Sequence, residues 1–156
     1  MRLPIFDLID ETLQLLQSRE VWYSEAAYEL QAFFFALLES QCDCLLGIQT
    51  RVKSSASLRE KILRKNLYKR AQTPDGILSI LSDLVGLRME CRFLVEERQL
   101  HQLLEAIFSQ LDEQSGLYHA PQSPGGQLDL RSVQPQYQNN GFPIYRIDGV
   151  YYKDEQ

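Results

Sequence analysis

The sequence predicts an α/β (α+β) fold, a small mixed β-sheet flanked by helices. Three observations lead there. Apolar residues recur at helical spacing over residues 5–38 and again over residues 100–111. Residues 85–93 alternate apolar and polar side chains with period two, the signature of a strand with one buried face. Residues 115–140 are rich in Pro, Gly, Gln and Asn, which breaks any further periodic element. The order of elements mixes helices with strands, as a sheet covered by helices requires.

Each element follows from a local pattern. Ile5, Leu8, Ile9, Leu13 and Leu16 predict a first helix over residues 4–18. Ser24 is expected to cap a second helix, in which Leu30, Phe33, Phe34, Leu37 and Leu38 share a face. Residues 44–53 are apolar and contain Gly47, and either continue that helix or turn into a strand. In the strand alternative, Gln49, Arg51 and Lys53 point the same way. Ser57-Leu-Arg-Glu60 has the form of a capping box and is expected to open a helix reaching Tyr68. Thr73-Pro74-Asp75-Gly76 reads as a turn. Val85, Leu87, Met89, Cys91 and Phe93 make the cleanest strand. Leu100, Leu103, Leu104, Ile107, Phe108 and Leu111 form an amphipathic helix, with Glu96 and Glu97 at its positive end. Residues 115–140 are expected to be a long loop with a short strand near Leu128. Residues 144–147 and 150–152 flank Asp148-Gly149 as a hairpin. Residues 1–43 form an N-terminal helical region and residues 44–156 the main domain.

Composition excludes several classes. Hydrophobic residues are 44% and charged residues 24%, which suits a folded domain and not a collagen-like or extended disordered chain. The longest apolar run, residues 32–38, is far short of the ~18 residues of a membrane helix. Asp7, Asp10 and Glu11 do not suit a signal peptide, so a cytoplasmic protein with no membrane partner is expected. Cys42, Cys44 and Cys91 are an odd number and read as reduced thiols. A net charge of −5 disfavours nucleic acid as the general partner.

The charge is unevenly spread. Residues 51–70 hold Arg51, Lys53, Arg59, Lys61, Arg64, Lys65, Lys69 and Arg70 against the single acid Glu60. Lys61, Arg64 and Lys65 are spaced to share a helical face. Ser54, Ser55 and Ser57 add hydroxyls before a helix N-terminus, itself a natural anion site. Such a collection suits a polyphosphate. A solvated basic helix and an RNA-contact surface are the other readings. Asp83 stands at the mouth of the alternating strand, where a carboxylate facing phosphates can bind Mg²⁺.

Arg51-Val-Lys53-Ser54, followed by Ser57-Leu-Arg-Glu60-Lys61 and Arg64-Lys65, resembles the R-x-K-S…S-x-x-E-K-x-x-R-K signature of RelA/SpoT-type synthetase domains. Asp83-Leu-Val-Gly86-Leu-Arg88 resembles their D-[IL]-x-G-[IV]-R motif, and Asn140-Gly141-Phe142 their N-G-Y turn. The match spans residues 44–152. The first two helices resemble those of the small, single-domain synthetases.

The resemblance implies a nucleotidyltransferase-like synthetase fold and a GTP pyrophosphokinase, an ATP:GTP 3′-diphosphotransferase that makes the stringent-response alarmone (p)ppGpp. It implies that ATP and GTP or GDP are the nucleotide partners and Mg²⁺ the cofactor. Carried over by position, Arg51 and Arg88 would sandwich adenine. Lys53, Ser54 and Lys61 would hold phosphates, with Arg64 and Lys65 adding positive field. Asp83 would bind Mg²⁺ and so be the catalytic residue. Asn140, Gly141, Phe142 and Arg146 would form the acceptor-nucleotide site, with Phe142 stacking under guanine. Members of this size tend to assemble as homo-oligomers, and the aromatic face of the second helix is a surface that suits this. Three departures stand out: Phe142 replaces the family tyrosine, Arg146 replaces a histidine, and the approach over residues 134–139 carries no lysine. The family's E-x-Q-x-[RK] strand does not occur before Gln156, so the domain is expected to be C-terminally incomplete. The alternative is a catalytically silent nucleotide- or RNA-binding regulatory module.

Overall fold

A computed structural model describes residues 3–43, 45–120, 126–131, 136–137 and 143–153. The elements are α1 (Pro4–Ser18), α2 (Glu20–Glu39), β1 (Leu45–Val52), α3 (Ser55–Arg64), a 3₁₀ turn (Leu67–Lys69), α4 (Pro74–Ser79), β2 (Val85–Cys91), α5 (Leu94–Ile107), β3 (Tyr118–His119), β4 (Gly126–Leu130), β5 (Gln136–Tyr137), β6 (Pro143–Ile144) and β7 (Gly149–Lys153). The fold is α+β, as expected. Its strands form three small sheets, β1–β2, β3–β4–β7 and β5–β6, in place of one mixed sheet. Two units are present, Met1–Tyr28 with Thr50–Leu87, and Glu29–Gln49 with Arg88–Gln156. The boundary expected between residues 43 and 44 lies inside the second. Among the described residues, no helix is long and apolar enough to cross a membrane.

The first unit is built on α1. Pro4 fits its first turn, where a missing N–H costs nothing. Ile9, Leu16 and Tyr23 pack with Leu58 and Ile62 of α3 and with Leu67, Ile77, Leu78 and Leu81. Leu58, Ile62 and Ile77 are wholly buried. Each such side chain contributes about 1.5–3 kcal/mol on leaving water. Thr12 is also buried, and its hydroxyl donates to the Leu8 carbonyl at 2.6 Å, which satisfies it.

Three local expectations need correction here. The second helix starts at Glu20, not at a Ser24 cap, because the chain scarcely breaks at Arg19: the Tyr23 N–H already donates to the Arg19 carbonyl at 2.9 Å. The cap of α3 is Ser54, three residues before the expected Ser57. Its Oγ accepts the Ser57 N–H at 3.2 Å, while Glu60 turns to Arg64. That helix stops at Arg64, and Asn66 takes a left-handed conformation (φ 51°) that leads into the 3₁₀ turn. Thr73-Pro74-Asp75-Gly76 begins a helix instead of a free turn. Thr73 Oγ1 accepts the Gly76 N–H at 3.1 Å and Pro74 occupies the first helical position, so the same residues serve as a start signal.

In the second unit, Leu30, Phe34, Leu38, Leu100, Leu104, Phe108, Leu128 and Leu130 are buried. The rings of Phe34 and Phe108 lie 6.3 Å apart. Gln31 Nε2 donates to the Ile48 carbonyl at 2.6 Å, and the Tyr151 hydroxyl to Glu29 Oε2 at 2.6 Å. The last helix runs from Leu94, with Phe93 as its N-cap, and ends before Leu111, which instead bridges to Tyr118. The expected loop over 115–140 contains a strand at Leu128, as read, and two more at 118–119 and 136–137.

The hairpin around Asp148-Gly149 is absent. β6 pairs with β5, and β7 pairs with β4 in the register Asp129↔Val150 and Leu130↔Gly149. The glycine signal is genuine but has another cause. A Cβ on Gly149 would lie 2.7 Å from the Asp129 carbonyl, so the close strand approach demands glycine. The expectation of three reduced thiols also fails. Cys42 is disulfide-bonded in the turn after α2, where its N–H donates back to the Leu38 carbonyl at 2.9 Å, while Cys91 is a free thiol.

Candidate functional site

The first unit gathers three charged side chains far apart in sequence. Lys53 follows β1, and its backbone N–H donates to the Leu84 carbonyl at 2.9 Å, which pins the chain beside Asp83. Its ammonium reaches Asp83 Oδ2 at 2.8 Å. Lys61 Nζ, two turns into α3, reaches Asp83 Oδ1 at 3.2 Å. The Lys53 side chain is only 4% exposed, those of Lys61 and Asp83 21% and 26%. Burial pushes the Asp83 carboxyl up, but the hydrogen bonds and charges of Lys53 and Lys61 prevail and hold it below the usual carboxylate range. One anion between two cations leaves local positive charge in a partly dry place. That arrangement binds further anionic oxygens well.

The neighbouring residues divide. Ser54 caps α3, so its oxygen is engaged with the Ser57 N–H while its hydroxyl proton stays available. Arg51 lies on β1 in the same unit, exposed to solvent. Lys53, two residues on and past the strand end, is buried instead. Arg64 is exposed and paired with Glu60 at 2.7 Å, and Lys65 is the exposed C-cap of α3, so neither joins the Asp83 cluster. Arg88 lies on the part of β2 that belongs to the second unit and is exposed. Arg146 is exposed, with Nε 3.5 Å from Asp148 Oδ1. Asn140, Gly141 and Phe142 lie outside the described residues.

The donor set admits a magnesium ion in one way. Among the described residues no group of three His, Cys, Asp or Glu side chains converges on a metal position. Asp83 offers a single carboxylate. Mg²⁺ commonly takes one or two protein carboxylates and draws its remaining ligands from phosphates and water, and Asp83 fits that pattern.

A second charged cluster was not expected. His119 lies between two acids, Nδ1 against Asp129 Oδ1 and Nε2 3.3 Å from Asp112 Oδ2. The hydrogen bond to Asp129, opposed by burial and supported by Asp112, raises the His119 pKa above its ordinary value. The Gln114 N–H and Ser115 hydroxyl, with His119, lower that of Asp112. Asp129 is 1% exposed between buried Leu128 and Leu130. An acid flanked by leucines on a short strand was the available signal, but its partner emerges only from the β3–β4 register His119↔Asp129.

The chain is similar to solved structures of a small alarmone synthetase. The small alarmone synthetase 1 from Bacillus subtilis bound to AMPCPP is 21% identical, with a TM-score of 0.49 over 87% of this chain and 68% of that one. A second structure of the same synthetase gives 23%, 0.48, 86% and 68%, and one bound to its product pppGpp 21%, 0.47, 88% and 72%. No family model and no curated protein matches the chain.

Proposed function

We propose that the chain is a nucleotide-binding domain of the alarmone-synthetase type, which transfers pyrophosphate from ATP to the 3′-hydroxyl of GTP or GDP. One observation carries the reading. Lys53, Lys61 and Asp83, which the R-x-K-S, E-K and D-x-x-G-x-R motifs single out, meet in one partly buried cluster although 30 and 22 residues separate the two lysines from the acid.

In this reading Lys53 and Lys61 hold the phosphates, and the N-terminus of α3 behind Ser54 adds backbone donors. Asp83 holds Mg²⁺, which when bound offsets charge on the transferred group. Arg51, exposed in the same unit, stacks on adenine. Arg64 and Lys65 add field, not contact. The acceptor's 3′-oxygen bonds to the β-phosphorus as the bond from that phosphorus to the α–β bridging oxygen breaks. AMP leaves with the bridging oxygen, and the hydroxyl proton is released. Fixed charges and positioning carry most of such chemistry.

The test is to incubate the chain with ATP, Mg²⁺ and GTP and resolve the nucleotides by chromatography, beside a calorimetric ATP titration. The expected outcome is ATP binding together with a 3′-pyrophosphorylated product and AMP. Binding without product supports the silent regulatory module, and no ATP binding ends both readings.

A further inference from the structure

Both oxygens of the Asp83 carboxylate are already in ammonium contacts, Oδ2 with Lys53 at 2.8 Å and Oδ1 with Lys61 at 3.2 Å. The two cations assigned above to phosphate are therefore held, in the free protein, by the protein's own anion. We propose that Asp83 is a resident stand-in for a phosphate oxygen, and that it makes the site admit a triphosphate only as its divalent-metal complex. This rests on the nucleotide reading and deepens it by naming the ionic form of the ligand.

Ligand entry exchanges partners among groups that stay in place. Lys53, with a side chain 4% exposed, is almost wholly withdrawn from water. Asp83 is held between α4 and β2, next to Leu84, whose carbonyl accepts the Lys53 N–H. A metal-free triphosphate that captures the two ammoniums leaves the Asp83 carboxylate facing phosphate oxygens. Like charges then meet where water screens them poorly. A divalent cation reverses that sign. It gives the carboxylate a new partner as the ammoniums pass to the phosphates, so every charge stays paired throughout. Burial makes the requirement strict, because a charge that loses its partner inside protein is far costlier than one at the surface. Lys61, the more exposed of the two lysines, is the natural first to exchange.

The inference differs from simple metal binding by Asp83 in one consequence. Removing the acid should improve binding of the metal-free ligand. The experiment is calorimetric titration of the full chain with inorganic tripolyphosphate in the presence of a chelator, then with Mg²⁺, and with ATP under both conditions. The wild type is expected to bind tripolyphosphate at least about tenfold more weakly without Mg²⁺ than with it. Asp83→Asn keeps size and loses charge. It is expected to bind metal-free tripolyphosphate at least about tenfold more tightly than the wild type and to lose the gain from Mg²⁺. Equal or weaker metal-free binding by the variant overturns the proposal. Should Asp83→Asn not fold, Asp83→Ser replaces it with the same expected gain in metal-free binding, and equal wild-type affinity with and without Mg²⁺ also overturns the proposal. A wild type that binds ATP with Mg²⁺ but takes tripolyphosphate indifferently to metal sinks only this inference. A wild type that binds no nucleotide under either condition sinks the nucleotide reading itself.

Discussion

Lys53–Asp83–Lys61 in the first unit sets one carboxylate between two ammoniums. Asp112–His119–Asp129 in the second sets one imidazole between two carboxylates. The parts are alike and the proportions opposite, and the surplus charge indicates what each cluster can do. The first retains positive charge beside a helix N-terminus and can accept an anion. In the second, both imidazole nitrogens are engaged, and Asp112 also accepts the Gln114 N–H at 3.0 Å and the Ser115 hydroxyl at 2.8 Å. That cluster ties the 112–116 turn to β4, and holding structure is its evident role. The lesson is that an ion cluster is read by its unspent charge, not by the number of its members.

The sharpest way to break this contrast is Lys53→Ala. Charge-assisted hydrogen bonds contribute about 1.5–3 kcal/mol, so ATP affinity should fall roughly ten- to a hundredfold. Asp83 keeps Lys61 as a partner, so the fold should survive, as circular dichroism would show. Unchanged ATP affinity by calorimetry would move the anion site away from this cluster.

The two clusters also differ in how far the sequence announced them. Lys53, Lys61 and Asp83 stand in short motifs, each read within one stretch, but their meeting across 30 and 22 residues is not written in any of those stretches. The segments α1 and β2 were legible because period and polarity lie within one stretch, whereas the apolar run of β1 suits a helix or a strand equally. Asp129 and His119 meet only through β-pairing, and no local pattern records which strand lies beside which. The same blindness explains the missing hairpin, where Gly149 marks a close approach to the Asp129 carbonyl and not a tight turn. The capping misreadings have another origin. Ser54 and Ser57 are both competent caps, and Thr73-Pro74 suits a turn or a helix start equally, so packing of Leu58, Ile62 and Ile77 decides which is used.

A smaller effect comes from pH, and it should appear in stability alone. The His119 pKa is raised in the folded state, so its contribution is fully present below the unfolded value of about 6.5 and is lost as pH rises through the higher folded value. For Asp112, lowered by the Gln114 N–H first, the sign is opposite: its contribution is present above the unfolded carboxylate value and is lost as pH falls through the folded one. Urea midpoints should therefore decline from about pH 6.5 upward in the wild type, and His119→Gln should flatten that decline. ATP affinity should be indifferent to the substitution. An identical alkaline slope in the variant would remove His119 from the account.

The smallest effect concerns the edge of the first cluster. Arg64 shares the basic segment with Lys61, yet it is exposed and paired with Glu60 one turn earlier, the favourable orientation for such a pair on a helix. Pairs of this kind contribute about 0.3–0.5 kcal/mol and fade with salt. If Arg64 acts on phosphate only through its field, Arg64→Ala should weaken ATP by about twofold, a loss that vanishes at high ionic strength. Fold stability should change by no more than the value of the pair. The Lys53→Ala loss, by contrast, should persist in salt, because its ammonium is buried. A salt-resistant loss for Arg64→Ala as large as that for Lys53→Ala would mean that Arg64 leaves Glu60 and contacts the nucleotide directly. The boundary between contact and field would then move outward by one helical turn.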